Sequence, residues 1–329
     1  MKRGVSRTAL VAAVIVIIIV GAAAYWWYYA SQPAPYQQTY NIKVYTGGTG
    51  GVYYPIGTKL AQLLTNYSNG LIYATAVSSG ASVANIAALK AGDAQLIFVQ
   101  NDVAAYAYGG KYMFNSSMSN LRGVATLYPE VIQIVVRADS GIRTIADLAG
   151  KKVAIGAQGS GTAVDIEQIL RAGNVWNQIT PVYADFNQAT DQLKLGQVDA
   201  AGLVAGLGAS AIVSLATTTP VNLVEISDAI LSNLVSQGYT FYVRVNVPSS
   251  TYNGMTQSVN TVAVKAMLAV SSDLPKNVVY TIVKILYEHQ SELAQANARA
   301  ADISLNTAKD GMSIPLHDGA AQYFSEKGV

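Results

Sequence analysis

The sequence predicts an α/β protein of two lobes behind an N-terminal apolar helix. Three observations carry this. Short apolar strands alternate with helical segments from residue 40 onward; two longer β-type runs, residues 131–137 and 261–270, break that alternation; and residues 8–30 hold no charge. Apolar strands followed by helices pack as mostly parallel sheets covered on both faces. The two long runs bracket a complete βα series. That arrangement predicts a discontinuous first lobe (40–130 plus 271–329), an inserted second lobe (138–260) and hinge strands at 131–137 and 261–270.

At the N-terminus, Lys2, Arg3 and Arg7 precede the uncharged stretch, which includes VIVIIIV at 14–20. The stretch is long enough to cross a hydrocarbon core of roughly 30 Å as a helix. The preceding cations put residues 1–7 in the cytoplasm and the rest outside. Trp26, Trp27, Tyr28 and Tyr29 form the aromatic belt expected where a helix leaves the bilayer. Ala22-Ala23-Ala24 also fits a signal-peptide cleavage pattern. The aromatic girdle and the absence of a cysteine for lipid attachment point to an uncleaved anchor over residues 1–30. Both readings export the protein. Residues 31–39 (SQPAPYQQT) read as a Pro-containing linker.

The elements then follow in order. Strands are predicted at 41–45, 71–77, 96–99, 153–155 and 200–204, and helices at 55–67, 81–91, 161–172, 189–195 and 209–216. A helix at 277–290 follows the second long run. The chain has 329 residues, enough for one large or two ordinary domains.

Composition excludes several functions. Lys and Arg total 21 against 19 Asp and Glu, and once the three N-terminal cations are set aside the remainder is slightly acidic. Nucleic acid is therefore not an expected partner. The absence of cysteine removes disulfides, thiol nucleophiles and thiolate metal sites. Charged residues make up 12%, about half the usual quarter. Hydroxyls, amides and backbone groups are thus the expected ligand contacts.

Two glycine loops each join a strand to a helix: TGGTGGVYYP at 46–55 and GAQGSGT at 156–162. Glycines let the backbone approach a ligand, and helix N-terminal amides favour anions. Facing each other across a cleft, the loops would form a site; alone, each is a tight βα turn. Neither is a P-loop, which needs Gly-Lys before Ser or Thr, and Gly206-Leu207-Gly208 is a weak dinucleotide fingerprint. A third junction holds Ser79 and Ser82, one of which N-capping accounts for. Gln100 and Asn101 close a strand where α/β ligands bind, and Asp102 reads as a cap or first-turn charge. Tyr53, Tyr54 and Tyr128 flank the cleft. Ser160 has no evident base, His289 and His317 read as structural or solvent-facing, and the acidic residues suggest no paired-carboxylate site. No metal, cofactor or catalytic group is expected. Asn66 and Asn115 begin glycan sequons.

The strings TGGTGGVYYPIG, QNDVAAYAYGG, LYPEVIQIVVR, GIRTIADLAGKKVAIGAQGSGT and SIPLHDGAAQYFSEKG resemble the TAXI family, from about residue 40 to 329. These are extracytoplasmic solute-binding proteins of TRAP-type secondary transporters. The resemblance implies a type II periplasmic-binding-protein fold, a monomer that closes on a small carboxylate solute, a glutamate-like amino acid, 2-oxoacid or dicarboxylate. It implies delivery to a TRAP-type permease. The implied ligand contacts are Thr49, Gly50, Tyr53, Ser79, Ser82, Gln100, Asn101, Tyr128, Ser160, Gly161 and Thr162. Gln158, Val204 and Gly208-Ala209 depart from the family's pattern, all in the second lobe. No arginine stands in the loops, though Arg122 or Arg137 is within reach of the cleft by sequence. The alternatives are a ligand-sensing receptor ectodomain and an ABC-type binding protein of similar fold. An exported enzyme would need a base, metal or cofactor lysine that the sequence does not present.

Overall fold

The computed structural model describes residues 6–30 and 38–329; Lys2, Arg3 and most of the expected linker lie outside them. The chain divides into two compact units, Met1–Gln38 and Thr39–Val329. The first contains one helix, α1 (Arg7–Ala30). Its segment Leu10–Tyr29 has a mean hydropathy of 2.5 and buries nothing. At 1.5 Å per residue a helix of this length reaches about 36 Å, beyond the ~30 Å of a bilayer core. It is long and apolar enough to cross a membrane, a description that a signal sequence also meets.

The second unit opens with β1 (Tyr40–Tyr45), α2 (Tyr53–Tyr67), β2 (Ile72–Val77), α3 (Ser82–Ala91), β3 (Leu96–Gln100) and α4 (Asn101–Gly109). A long strand, β4 (Leu121–Arg137), leads to β5 (Lys152–Ala154), α5 (Gly161–Ala172), β6 (Thr180–Val182) and α6 (Phe186–Lys194). Next come β7 (Ala200–Ala205), α7 (Ser210–Thr218), β8 (Val221–Leu223), α8 (Asp228–Ser236) and β9 (Val243–Val247). The second long strand, β10 (Val259–Ser271), precedes α9 (Lys276–Glu288), α10 (Gln290–Ala296) and α11 (Asp318–Glu326).

Local chemistry explains these boundaries. Every residue of β3 and of β7 is buried, as expected of strands covered on both faces. On α2, Ile56, Leu60, Leu63 and Leu64 recur at helical spacing on the buried side. Asp185 and Gln188 form a reciprocal capping box that starts α6.

The strands run β2-β1-β3-β10-β4-β7-β5-β6, with β8 added to β4 and β9 to β10. β1 is parallel to β2 and β3, and β5 is parallel to β6 and β7. Between these parallel sets, β4 and β10 pair antiparallel. Together the long strands link the two sets: β10 pairs β3 at one end and β9 at the other, while β4 continues from β10 to β7 and β8. The architecture is the α/β two-lobed fold the sequence predicts, built on a mixed sheet. The β4–β10 register slips between Pro129 and Thr126, opposite Lys265 and Met267. Such a bulge accommodates a proline that cannot donate to the ladder, and it bends the strand there.

The apolar core is divided accordingly. Ile42, Leu60, Ile282 and Phe324 pack in one cluster. Ile166 and Ile169 pack in another and Leu193, Leu203 and Ile212 in a third, around the other parallel set.

Three departures from the sequence reading stand out. β4 begins at Leu121, ten residues before the expected run, because pairing with β10 recruits residues whose own pattern is weak. The helix expected at 277–290 stops at Glu288, and His289 breaks it from α10. Two three-residue strands, β6 and β8, exist only through their sheet partners.

Candidate functional site

The C-terminal ends of both parallel sets face one narrow cavity of about 70 Å³. The β1–α2 loop supplies Gly47, Gly48 and Gly51; the β2–α3 junction supplies Ser79 to Ser82; the β5–α5 loop supplies Ala157 and Ser160 to Thr162. Asp185 and Phe186 at the start of α6 and Val204 and Ala205 at the end of β7 complete it. The N-termini of α2, α3, α5 and α6 therefore converge here, and their free amides favour a negative group.

The cavity is held shut by contacts across it. Ala84 N donates to Gly159 O (3.0 Å) and Ala211 N to Gly50 O (3.2 Å). Asn187 Nδ2 donates to Thr49 Oγ1 (3.3 Å), and Gln100 Nε2 donates to Asp165 Oδ2 (2.8 Å). Gly161 permits the closest approach: a Cβ there would overlap the Gln100 amide and stand 2.9 Å from Ser82 Oγ. Ala81 lines the cavity at φ +68° and ψ −147°, a region that is essentially glycine's and costs a side-chain-bearing residue of order 1–3 kcal/mol.

Of the eleven residues singled out from the sequence, Tyr53, Ser79, Ser82, Gln100, Ser160, Gly161 and Thr162 line the cavity. Several are already engaged. Ser79 Oγ lies 2.5 Å from Asn85 Oδ1 and accepts from Ala81 N. Ser160 Oγ donates to Ala157 O and caps α5 by accepting from Ala163 N. Ser82 Oγ accepts from Gln100 N at 3.1 Å. The other four are placed elsewhere. Thr49 and Gly50 make the cross-cavity contacts just described. Asn101 turns away, because Lys265 N donates to its Oδ1 and its Nδ2 donates to Gly311 O. Tyr128 is 1% exposed, in the core beside Leu127, and its hydroxyl has no hydrogen-bond partner. Neither arginine reaches the cavity: Arg122 donates to Ser119 O and Leu121 O, and Arg137 pairs with Asp139.

His317 caps α11, accepting from Gly319 N at Nδ1 while Nε2 lies 2.9 Å from Leu274 O. His289 stacks on Tyr67 (3.8 Å between centroids) beside Glu292. Both are structural.

The acidic residues correct the sequence reading. Glu130 lines the cavity, is 3% exposed and accepts a hydrogen bond from Tyr53 OH at 2.6 Å. Burial pushes its carboxyl up to about 8 against the opposing effect of Tyr53, which favours the uncharged form at neutral pH. Asp102 stands in the first turn of α4, as expected, but it is fully buried there, and burial pushes it up to about 6. Asp165 on α5 is raised too, by burial and then by Asp102. A carboxyl pair thus exists that sequence separation concealed: Asp102 and Asp165 are 63 positions apart and meet only when α4 and α5 pack. The sole early signal for Glu130 was its place after Tyr128-Pro129 at the start of an apolar run.

The fold is shared with the periplasmic binding protein BugD (14% identity, 87% of this chain and 94% of that one, TM-score 0.56). It is also shared with a protein of Bordetella bronchiseptica RB50 (12%, 88% and 98%, 0.54) and a Xanthomonas citri protein bound to ATP (10%, 87% and 94%, 0.51). At these identities the likeness is one of fold. A family model matches residues 44–328, nearly the whole second unit, and the chain belongs to the NMT1-like family.

Proposed function

We propose that this protein is an extracytoplasmic solute-binding protein that closes on a small carboxylate-bearing solute and passes it to a membrane permease. The observation that carries this reading is the shut cavity onto which four helix N-termini converge. Residues 40–130 with 271–329 form the first lobe, 138–260 the second, and 131–137 with 261–270 the hinge between them. The bulge at Pro129 sits beside that hinge. Gly161 and Thr162 offer amides to a carboxylate, and Glu130, uncharged at neutral pH, does not repel it. No lysine or arginine among the described residues lines the cavity, so the solute's charge is met by dipoles and neutral donors.

The helix α1 would tether the protein to the outer face of the membrane and raise its effective concentration near the permease. A TRAP-type permease is the partner that the resemblance to TAXI proteins implies; an ABC-type permease is the rival.

Thermal unfolding of the full chain in detergent against amino acids, 2-oxoacids and dicarboxylates tests the reading. A solute at ~100 times its Kd adds ~2.7 kcal/mol of stability, a clear rise in Tm. No rise with any acid would remove the carboxylate assignment.

A further inference from the structure

Asp102 lies in the first turn of α4 and Asp165 in the second turn of α5, so the two come from opposite parallel sets of the sheet. Both are fully buried and act on each other's charge; Asp165 is bonded to Gln100, two residues before Asp102, and neither carboxyl lines the cavity. Asp165 is held from both sides: Tyr242 OH donates to Oδ1 (2.7 Å) and Gln100 Nε2 to Oδ2 (2.8 Å). For Asp102 no neutral side chain supplies a donor. The titratable groups facing the pair are Glu130 on β4, Tyr106 on α4 and Tyr242 ahead of β9. Gln168 Oε1 on α5 lies 2.8 Å from the same Tyr242 OH and competes with Asp165 for its one proton. No lysine, arginine or histidine among the described residues offsets either carboxyl. Two interacting carboxylates, dry and without a cation, repel unless a proton sits between them.

We infer that Asp102 and Asp165 share a proton across the cleft, and that this proton holds the closed form, so that closure takes up a proton from solution. The inference rests on the hinged two-lobe reading above. Its sign follows from linkage. In an opened cleft the carboxyls meet water and titrate near ~3.9; in the closed form burial raises both. The closed form therefore holds more protons above about pH 4 and loses ground as pH rises, by up to about tenfold in the closed-to-open ratio per pH unit for each proton. An acidic exterior favours closure.

The chain has no cysteine, so Lys90→Cys on α3 and Lys194→Cys on α6 can carry a specific spin-label pair. The experiment is a double electron–electron resonance distance measurement on the full chain in phosphatidylcholine nanodiscs, without solute, from pH 5 to pH 9. The expected result is a short distance at pH 5 that gives way to a longer one as pH rises. Asp102→Asn should stay short throughout, because its amide replaces the shared proton; Asp165→Asn serves if that variant does not fold. Gly161→Trp wedges the cleft and reports opening independently of pH. A longer distance in the wedge variant with no pH response in the wild type would overturn the shared proton and leave the hinge intact. A pH response undiminished in both Asn variants, or a response to sodium concentration in place of pH, would overturn it as well. An unchanged distance in the wedge variant would remove the hinge reading, and the proton linkage with it.

Discussion

Tyr53 and Glu130, 77 residues apart, meet at 2.6 Å inside the cavity wall, the phenol donating to Oε2. Tyr53 is the first residue of α2 and Glu130 sits in β4 just past the Pro129 bulge. The bond supplies a donor to a carboxyl that no cation among the described residues approaches, and burial outweighs it in setting the carboxyl's protonation.

Glu130 makes stability fall with alkalinity. An acid raised to about 8 in the folded chain and ordinary when unfolded leaves the native state holding the extra proton. Its contribution is complete below about pH 4 and is lost as pH rises toward 8, by up to about 1.4 kcal/mol per unit. Thermal unfolding of Glu130→Gln should show a shallower decline of Tm between pH 5 and pH 8 than the parent. Parallel curves would mean that Glu130 is ionised in the native protein.

Tyr53→Phe leaves a buried carboxyl oxygen without its donor and should cost about 1–3 kcal/mol. Denaturant unfolding at pH 7 measures the loss. The same change removes an effect that lowers the Glu130 pKa, so the alkaline decline should extend to higher pH.

Ala81→Gly should stabilise the protein. Ala81 adopts φ +68° and ψ −147°, where only glycine is at ease, and relief of that strain is worth of order 1 kcal/mol. A rise in the urea midpoint at constant slope is the expected result. An unchanged or lower midpoint would show the backbone there to be unstrained.

Gly161→Ala places a methyl group against the Gln100 amide. Because Gln100 is tied to Asp165, it has little room to withdraw, so the change should weaken solute binding tenfold or more. Tm without solute should fall as well, because the overlap is present in the unliganded fold. Titration calorimetry with the solute identified by the stability screen provides the check.

If α1 is an anchor, intact protein extracted from membranes retains residues 1–30. Its mass, compared with that of a chain cut after Ala24, decides between tether and signal peptide.

The strand–helix alternation from residue 40 onward was legible because a period of two and a period of 3.6 leave different marks on the same string of apolar residues. So were the glycine loops at 46–55 and 156–162, since a strand, glycines and a helix start are all local signals. Seven cavity-lining residues followed from that local pattern and the resemblance together. The sequence by itself determined the α/β class, the α1 helix and the scarcity of charge along the chain. Tertiary structure alone decided that Asn101 faces Lys265 and Gly311, that Tyr128 lies in the core, and that Glu130 enters the wall. It also decided that Asp102 and Asp165 form a pair. The physical reason is that a carboxyl's charge state depends on which groups surround it and how dry they are, and those neighbours come from distant segments that only packing brings together.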